Sequence, residues 1–518
     1  MWLLGLVMLV DQMDQSVARG VQGPIQREFG VSDFGIGVML SAFVVVNGFV
    51  TLPAGYLADR LPRVRTIGKT VILWSAISAA CALAPTFGVL VLIRAALGFG
   101  QAITEPSGAS LLADFYPGRE RGRAFSIQQA LIFVGIGLGF ILGGVVTDNL
   151  NLSWRWAFAL SALPGLVVAA LVFRLREPAR GAGDLVELGV HHDGGDDADE
   201  SGHLNLFDDG WRQFLKDMVR GLRDDLRTIW AIPTMRYALV GVSALLFTIS
   251  AIAAGLPQFY ERELGVAAGD AEKLIGLMAI IGGVPGVLVG GVIADKWVNR
   301  FPGARVVIPA WCILIGNLFF VVSWLDVPFA VAFPLELIGF FVVVMSIPPL
   351  RAGLTDTVPA HLRGAGFGAF NLCSILFGAA AAPFVLFGLS DLFGDNLRTA
   401  FLLVSPPVFA GGFVLLAARK HLEADMGKML EAVYKAVMAA QAESEQRAAR
   451  VAEHAAALAG EPGVAAGDRN AADAADAARA ADTARAAGTA DRADDGVAGP
   501  SSPDDRDGPD GRDGPDGS

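Results

Sequence analysis

The chain has 518 residues, of which 53% are hydrophobic and 18% charged, with a mean hydropathy of +0.50. A soluble domain carries about a quarter charged residues, so a soluble enzyme is excluded as the first expectation and a polytopic membrane protein replaces it. The net charge of −12 sits in two polar segments: 181–210 holds nine acids and no Lys or Arg, and 460–518 holds fourteen acids and six Arg, which leaves the rest at +5.

Twelve apolar stretches reach the roughly 20 residues that a bilayer-crossing helix needs. They are 2–22, 34–57, 66–85, 87–113, 124–148, 154–174, 236–258, 274–294, 305–324, 328–350, 364–389 and 398–418. The first has no basic residue ahead of it and no small-residue cleavage site behind it, so it reads as a helix, not a signal peptide. Loops after even-numbered stretches hold twelve basic residues, among them Arg60, Arg63, Arg121, Arg123 and Arg363; the opposite loops hold six. That asymmetry predicts both termini in the cytoplasm.

The predicted organisation is a six-helix bundle over 1–175, a cytoplasmic linker over 176–235 and a second six-helix bundle over 236–419. In the linker, Trp211 to Trp230 place apolar residues at 3.6-residue spacing with Arg and Lys opposite, which predicts an amphipathic helix over 211–230 lying on an anionic leaflet. A cytoplasmic helix is expected over 420–458. Beyond it, 459–518 is Ala/Asp/Arg/Gly/Pro low complexity and reads as a disordered acidic tail. The linker pair His191-His192 lacks the rigid scaffold of a metal site. Cys81, Cys312 and Cys373 are odd in number and lie in apolar runs, which argues against a disulfide framework. No strongly basic face for nucleic acid is present.

The chain repeats itself. Asp114, Pro117, Arg121-Gly122 and Phe125 recur as Asp356, Pro359, Arg363-Gly364 and Phe367 at an offset of 242. Gly55 and Asp59-Arg60 recur as Gly291 and Asp295-Lys296 at an offset of 236, and Arg65 is answered by Arg300, one residue short of that offset. Two related halves around a midplane site are a transporter plan.

The run Gly55-x3-Asp59-Arg60-x2-Arg63-x-Arg65 resembles the signature loop of the major facilitator superfamily, and Arg94-x3-Gly98-x-Gly100 resembles its fourth-helix motif. Met13-Asp14, Pro24-x4-Phe29-Gly30-x-Ser32-Asp33, Ser41-Ala42-Phe43 and Ser110-Leu111-Leu112-Ala113-Asp114 are similar to its Spinster-like branch. Gln101 stands where that branch has Glu, and Gln15 where it has Arg. The resemblance implies an all-α integral membrane fold of twelve transmembrane helices in two pseudo-symmetric bundles. It also implies lysolipid, sphingoid or other amphipathic cargo and proton coupling. In the superfamily the Gly55, Asp59, Arg60 and Arg63 cluster, with Arg121, Arg123, Asp295 and Arg363, gates one conformation.

Ionisable groups inside a bilayer cost at least about 2.5 kcal/mol at its centre, so each needs a reason. Asp11 and Asp14 share a face of the first helix. Asp14 and Arg94 are expected at similar depth and to pair, either as a proton-coupling switch or as a permanent ion pair between helices 1 and 4. Glu105, one turn from Gln101, either replaces the missing carboxylate or is solvated at the inner mouth. Glu336 maps onto Arg94 at the 242 offset, and either brackets a substrate opposite Arg94 or packs with its own hydrogen bonds. The glycines 135, 139, 143 and 144 predict close helix packing.

No phosphate-cradling loop, nucleophile elbow or metal-ligand spacing is present, so neither an enzyme nor a cofactor is expected. The reading is a monomeric, proton-coupled secondary transporter for a small amphipathic molecule in a bacterial plasma membrane. Multidrug or metabolite efflux is the nearest alternative; a lipid scramblase or a membrane sensor is the alternative from another class.

Overall fold

The computed structural model describes residues 2–58, 61–116, 118–178, 230–298, 303–357, 365–422 and 424–428, with isolated positions at 216, 219, 220, 223, 227, 431 and 450. Met1–Lys435 forms one compact unit. In the second, Ala436–Ser518, the described residue is Arg450, which is helical. The expected acidic tail and most of the linker lie outside the described residues. Of the expected amphipathic helix, Lys216, Val219, Arg220, Arg223, Arg227 and Trp230 are helical and exposed.

The first unit is built from long helical rods. α1 is Trp2–Gly20, α2 is Asp33–Ala58 and α3 is Arg63–Cys81. α4 runs Phe87–Gln101 and resumes as Thr104–Phe115; α5 is Gly118–Gly144 with a π-helical turn at Val145–Asn149; α6 is Trp154–Val172. α7 is Pro233–Glu263, and α8 runs Ala268–Met278, Ala279–Gly283 and Val284–Val298 with a π turn in the middle. α9 is Ala304–Ser323, α10 is Phe329–Met345 resumed as Ile347–Thr357, α11 runs Ala365–Ser374, Ile375–Ala380 and Ala381–Leu392, and α12 is Leu397–Ala417. A short helix, Gln22–Phe29, follows α1 and ends at Gly30, whose φ of 62° is the left-handed cap that glycine adopts without strain.

Among the described residues, ten rods are long and apolar enough to cross a bilayer. α1 and α3 fall short of that measure through their charges: Asp11, Asp14 and Arg19 on one, Arg63, Arg65 and Lys69 on the other. Several rods extend past the apolar stretches that predicted them. α7 begins before 236 and ends after 258 because its polar ends continue the helix without adding apolar length. Its first turn is held by a distant residue: Asp425 accepts hydrogen bonds from Thr234 N at 2.9 Å and Thr234 Oγ1 at 2.7 Å. A carboxylate at a helix N-terminus satisfies donors that have no partner within the helix.

The duplication is visible in the rods. α4 breaks at 102–103, ahead of Pro106, whose ring clashes with the carbonyl four residues back, that of Ala102. α10 breaks at Ser346, ahead of Pro348, which is 242 residues beyond Pro106.

Within the first half α1 packs on α5, α2 on α4 and α3 on α6; within the second, α9 packs on α10 and α12. The halves meet where α2 lies against α11 and α5 against α8. Glycine allows these contacts. A Cβ on Gly143 would stand 2.7 Å from the Gly20 carbonyl oxygen, and one on Gly144 2.6 Å from that of Gly269. Across α5 and α8, a Cβ on Gly276 would stand 2.6 Å from the Gly137 carbonyl oxygen. Backbone cannot rotate away, so Gly276→Ala should cost about 1–3 kcal/mol. Gly291→Ala, on the same rod with nothing within 4 Å, should be neutral or gain up to about 1 kcal/mol from helix propensity. Thermal unfolding in detergent checks this; equal midpoints for the two variants would remove the packing account.

Candidate functional site

The interior of the first half holds a buried polar cluster from four rods. Asp14 of α1 is 0% exposed. Its Oδ1 accepts hydrogen bonds from Ser78 of α3 and, at 3.0 Å, from Ser161 of α6. Its Oδ2 accepts from Gln101 Nε2 of α4 at 3.4 Å. Arg94 of α4 is 1% exposed. Its guanidinium carbon lies 5.2 Å from the Phe43 ring centroid and 5.9 Å from that of Phe158. Its Nε and Nη1 have no hydrogen-bond partner among the described residues.

Arg94 and Asp14 are close enough to interact electrostatically, but no ion pair within 4.0 Å joins them among the described residues. This corrects the expected direct pair. Two serine hydroxyls and an amide already occupy the carboxylate, and two aromatic faces hold the cation by its π-attraction. The glycines of the fourth-helix motif explain how Arg94 gets there. A Cβ on Gly98 would stand 2.8 Å from Asn47 N, and one on Gly100 2.9 Å from Trp74 Cβ. α4 therefore presses onto α2 and α3 and turns Arg94 inward.

Asp11, 6% exposed, sits one turn before Asp14 and accepts from Gln15 at 2.9 Å and Gln12 at 3.1 Å. Glu105 is elsewhere. Past the break in α4 its side chain is 71% exposed, 3.9 Å from Arg351 of α10 across the halves. Of the two readings of Glu105, the geometry is that of the solvated mouth residue.

Glu336 of α10 is 0% exposed. Tyr260 of α7 donates to its Oε2, and Ser323 of α9 donates to its Oε1 at 2.9 Å. The rings of Phe329 and Phe333 cover Tyr260 at 5.6 and 6.5 Å. Both carboxylate oxygens are thus occupied inside the second half. The arrangement mirrors the first half, where rods 1, 3 and 4 converge on Asp14 as rods 7, 9 and 10 do on Glu336. It does not bring Glu336 into hydrogen-bond contact with Arg94.

At the rim, Arg63 is 1% exposed and fully engaged. It bonds the carboxylate of Asp114, Ser110 Oγ at 3.1 Å, Glu177 Oε1 at 3.0 Å and the Pro178 carbonyl at 3.0 Å. Glu177 also accepts the backbone N–H groups of Arg63 and Val64 at 3.0 and 2.8 Å, capping α3. These partners belong to the first half or to the segment that leaves it after α6, and none to the second half. Arg123 is exposed. Asp59, Arg60 and Arg363 lie outside the described residues, and so do the side chains of Arg121 and Asp295; Gly55, Arg121 and Asp295 are helical.

The end opposite the basic loops carries a network across the halves. Arg262 of α7 binds Asp33 of α2 through both nitrogens at 2.7 Å. Asp33 also accepts from Gln26 at 2.7 Å and Ser390 of α11 at 2.8 Å. Ser41 Oγ donates to the Ala380 carbonyl at 2.7 Å, and Gln22 to that of Ala254 at 2.6 Å. Asp33, Asp391 and Asp395 converge as the ligands of a metal site do, but Arg262 already neutralises Asp33. Trp154 is 2% exposed and donates to Glu28 at 2.6 Å, while the nearby Trp156 is exposed. Burial raises the Glu28 carboxyl, and hydrogen bonds from Arg155 and Trp154 outweigh it and hold the carboxyl below its usual range.

Ser78, Ser161, Tyr260, Ser323 and Arg262 were not singled out in the sequence. Hydroxyls inside apolar runs carry no periodic signal. Asp33 stood in the quoted motif, but its partner lies 229 residues away.

Two helical halves related by an internal repeat, joined along α2–α11 and α5–α8 and centred on buried charges, define a multi-pass membrane protein of the transporter class. The chain belongs to the Major Facilitator Superfamily, whose family model matches residues 4–383. It is similar to the Spinster branch: it is 28% identical over 316 residues to Protein spinster homolog 3 of Danio rerio, covering 58% of each chain. It is 35% identical over 169 residues to the Mycobacterium tuberculosis MFS-type transporter EfpA, covering 32% of this chain and 31% of that one. The chain spans about half the length or less of these curated relatives. Among solved structures, a bacterial homologue of the human lysosomal transporter Spinster, inward-facing and occupied, superposes with a TM-score of 0.61 at 20% identity. That match covers 83% of this chain and 97% of the other.

Proposed function

We propose that this protein is a secondary transporter working by alternating access, with twelve membrane spans and both termini in the cytoplasm of a bacterium. It is a monomer and moves its cargo without chemical change. On this reading the stitched end faces away from the cytoplasm, and the solvated Glu105–Arg351 pair marks the inner mouth. The cargo is a small amphipathic molecule with an anionic headgroup, and protons drive it.

The observation that carries this reading is Arg94: a buried guanidinium with two unpartnered nitrogens between two aromatic rings, beside a buried carboxylate that it does not directly bind. Such a group is costly in a membrane unless a ligand completes it. An anionic headgroup supplies the missing acceptors, and the rings supply an apolar wall. Protonation of Asp14 removes the nearby negative charge and leaves Arg94 free for the cargo. Glu336, Tyr260 and Ser323 hold the second half rigid around it, and Asp11 is the next carboxyl along the proton's path. Gly55, Asp59, Arg60, Arg121, Arg123, Asp295 and Arg363 bias which end is open, while Arg63 keeps the first half rigid as it moves.

Reconstitution into liposomes tests this. A labelled lysophospholipid should accumulate against its gradient when a pH difference is imposed, and a neutral sugar should not. Arg94→Ala should weaken lysophospholipid binding about 10–100-fold, the worth of a hydrogen bond to a charged group. Equal flux with and without the pH difference would replace the transporter with a scramblase.

A further inference from the structure

We propose that Glu261 and Glu272 form a second proton site, at the stitched end between the halves, filled when that end is shut and emptied when it opens. The proposal rests on the alternating-access reading and not on the role of Asp14.

The two carboxyl groups, one from the last turn of α7 and one from the first turns of α8, are close enough to interact with each other. Two neighbouring carboxylates repel each other when both are ionised, and one shared proton removes the repulsion and joins them by a hydrogen bond. Glu272 is 2% exposed, and its Oε2 has no partner among the described residues. Buried polar atoms seldom stay unpartnered without a functional reason.

The surrounding charges do not supply a second countercharge. Arg27 Nη1 stands 3.9 Å from Glu261, but its side chain is 62% exposed and solvent screens it. Arg262 is committed to Asp33 at 2.7 Å through both nitrogens. Lys273 is shared between Asp270 at 3.1 Å and Asp148 at 3.7 Å. Arg398 pairs with Glu263 at 3.5 Å and Asp326 at 2.9 Å. The carboxylates of Asp391 and Asp395 gather near Asp33 and Arg262. Arg27 offsets one negative charge in part and nothing offsets a second, so the shut site holds one proton.

The other half makes the site close. A Cβ on Gly144 of α5 would stand 3.3 Å from Glu272 Cβ, and one on Gly23 3.8 Å from both Glu261 carboxylate oxygens. These glycines belong to the first half, so separating the halves at this end strips two walls from the pair. A cavity of about 490 Å³ lined by Arg27, Glu28, Asp148, Trp154 and Gly269 opens beside it, and Gly269 is one turn from Glu272. The shut form therefore binds one more proton than the open form, and linkage fixes the sign: rising pH opens this end and falling pH shuts it.

Spin labels at Leu150→Cys and Ala267→Cys, both exposed positions on opposite halves, with the three native cysteines replaced by Ala, report this end by pulsed electron spin resonance. Measured in nanodiscs from pH 5 to 9 without cargo, the long-distance population should grow with pH in the unmutated pair. In Glu272→Gln, whose amide keeps the hydrogen bond, and in Glu261→Gln, the end should stay shut and the pH response should fall at least fivefold. A pH-independent distance distribution in the parent, which needs no further variant to fold, overturns the proposal. So does a full response in both Gln variants. The readout is conformation, so a failure of gradient-driven transport in liposomes does not alter it.

Discussion

Arg63→Ala is expected to destabilise the first half by about 3 kcal/mol, the lower end of the 3–5 kcal/mol that breaking a buried ion pair costs. The lower end applies because the carboxylates left behind differ in exposure: Asp114 is 11% and Glu177 27% exposed, so water partly rescues the second. At roughly 2–4 °C per kcal/mol, the thermal midpoint in detergent should fall by about 6–12 °C. Arg63→Lys keeps the charge but not the fork, and reaches one carboxylate instead of both, so it should recover less than half of the loss. Glu177→Gln keeps an oxygen for the N–H groups at the start of α3 and should cost about 1 kcal/mol. A midpoint for Arg63→Ala within 1 °C of the parent would mean that the network is decoration.

This changes what the rim motif is for. A latch between halves would lose function without losing the fold. Arg63 joins the start of α3 to the end of α4 and to the segment leaving α6, all in one half. It makes that half a rigid body, which alternating access requires as much as it requires a hinge. The latch itself must come from charges that cross the halves. Among the described residues these crossings are dense at the stitched end, through Asp33–Arg262, and sparse at the other, through Glu105–Arg351.

The rods were legible because a bilayer demands about 20 apolar residues per crossing and the chain supplies them. Their ends were not, because helical hydrogen bonding continues past the apolar core wherever a polar residue can face water. Asp14 and Arg94 were legible because charge in an apolar run is rare. Ser78 and Ser161 were not, although they decide that Asp14 and Arg94 do not touch. A serine in an apolar helix is equally at home bonded to its own backbone, and only the packing of α3 and α6 on α1 brings these two to one carboxylate. Glu261 and Glu272 were illegible for the opposite reason. Charged residues at helix ends are ordinary, and eleven residues of chain do not reveal that α7 and α8 turn both inward.

Asp14→Asn is expected to abolish gradient-driven accumulation while sparing the fold. The substitution is nearly isosteric, and the new side chain's oxygen still accepts from Ser78 and Ser161. Its amide N–H then faces Gln101 Nε2, donor against donor. Gln101 Oε1 has no partner among the described residues, so a flip of the Gln101 amide restores the bond, and the thermal midpoint should stay within the range of about 1 kcal/mol. What is lost is charge. Beyond 4 Å and at an effective dielectric constant of about 20, Asp14 contributes at most about 4 kcal/mol to holding Arg94. The substitution removes that hold at every pH, so the site can no longer distinguish the proton-rich side from the proton-poor one. Accumulation under an imposed pH difference should drop about 100-fold, to the level seen without one. Exchange of labelled for unlabelled cargo, which needs alternating access but no gradient, should persist and lose its pH dependence. If accumulation survives in Asp14→Asn, the driving proton binds elsewhere, and Asp14 is a packing residue whose serine partners fill its lone pairs for stability alone.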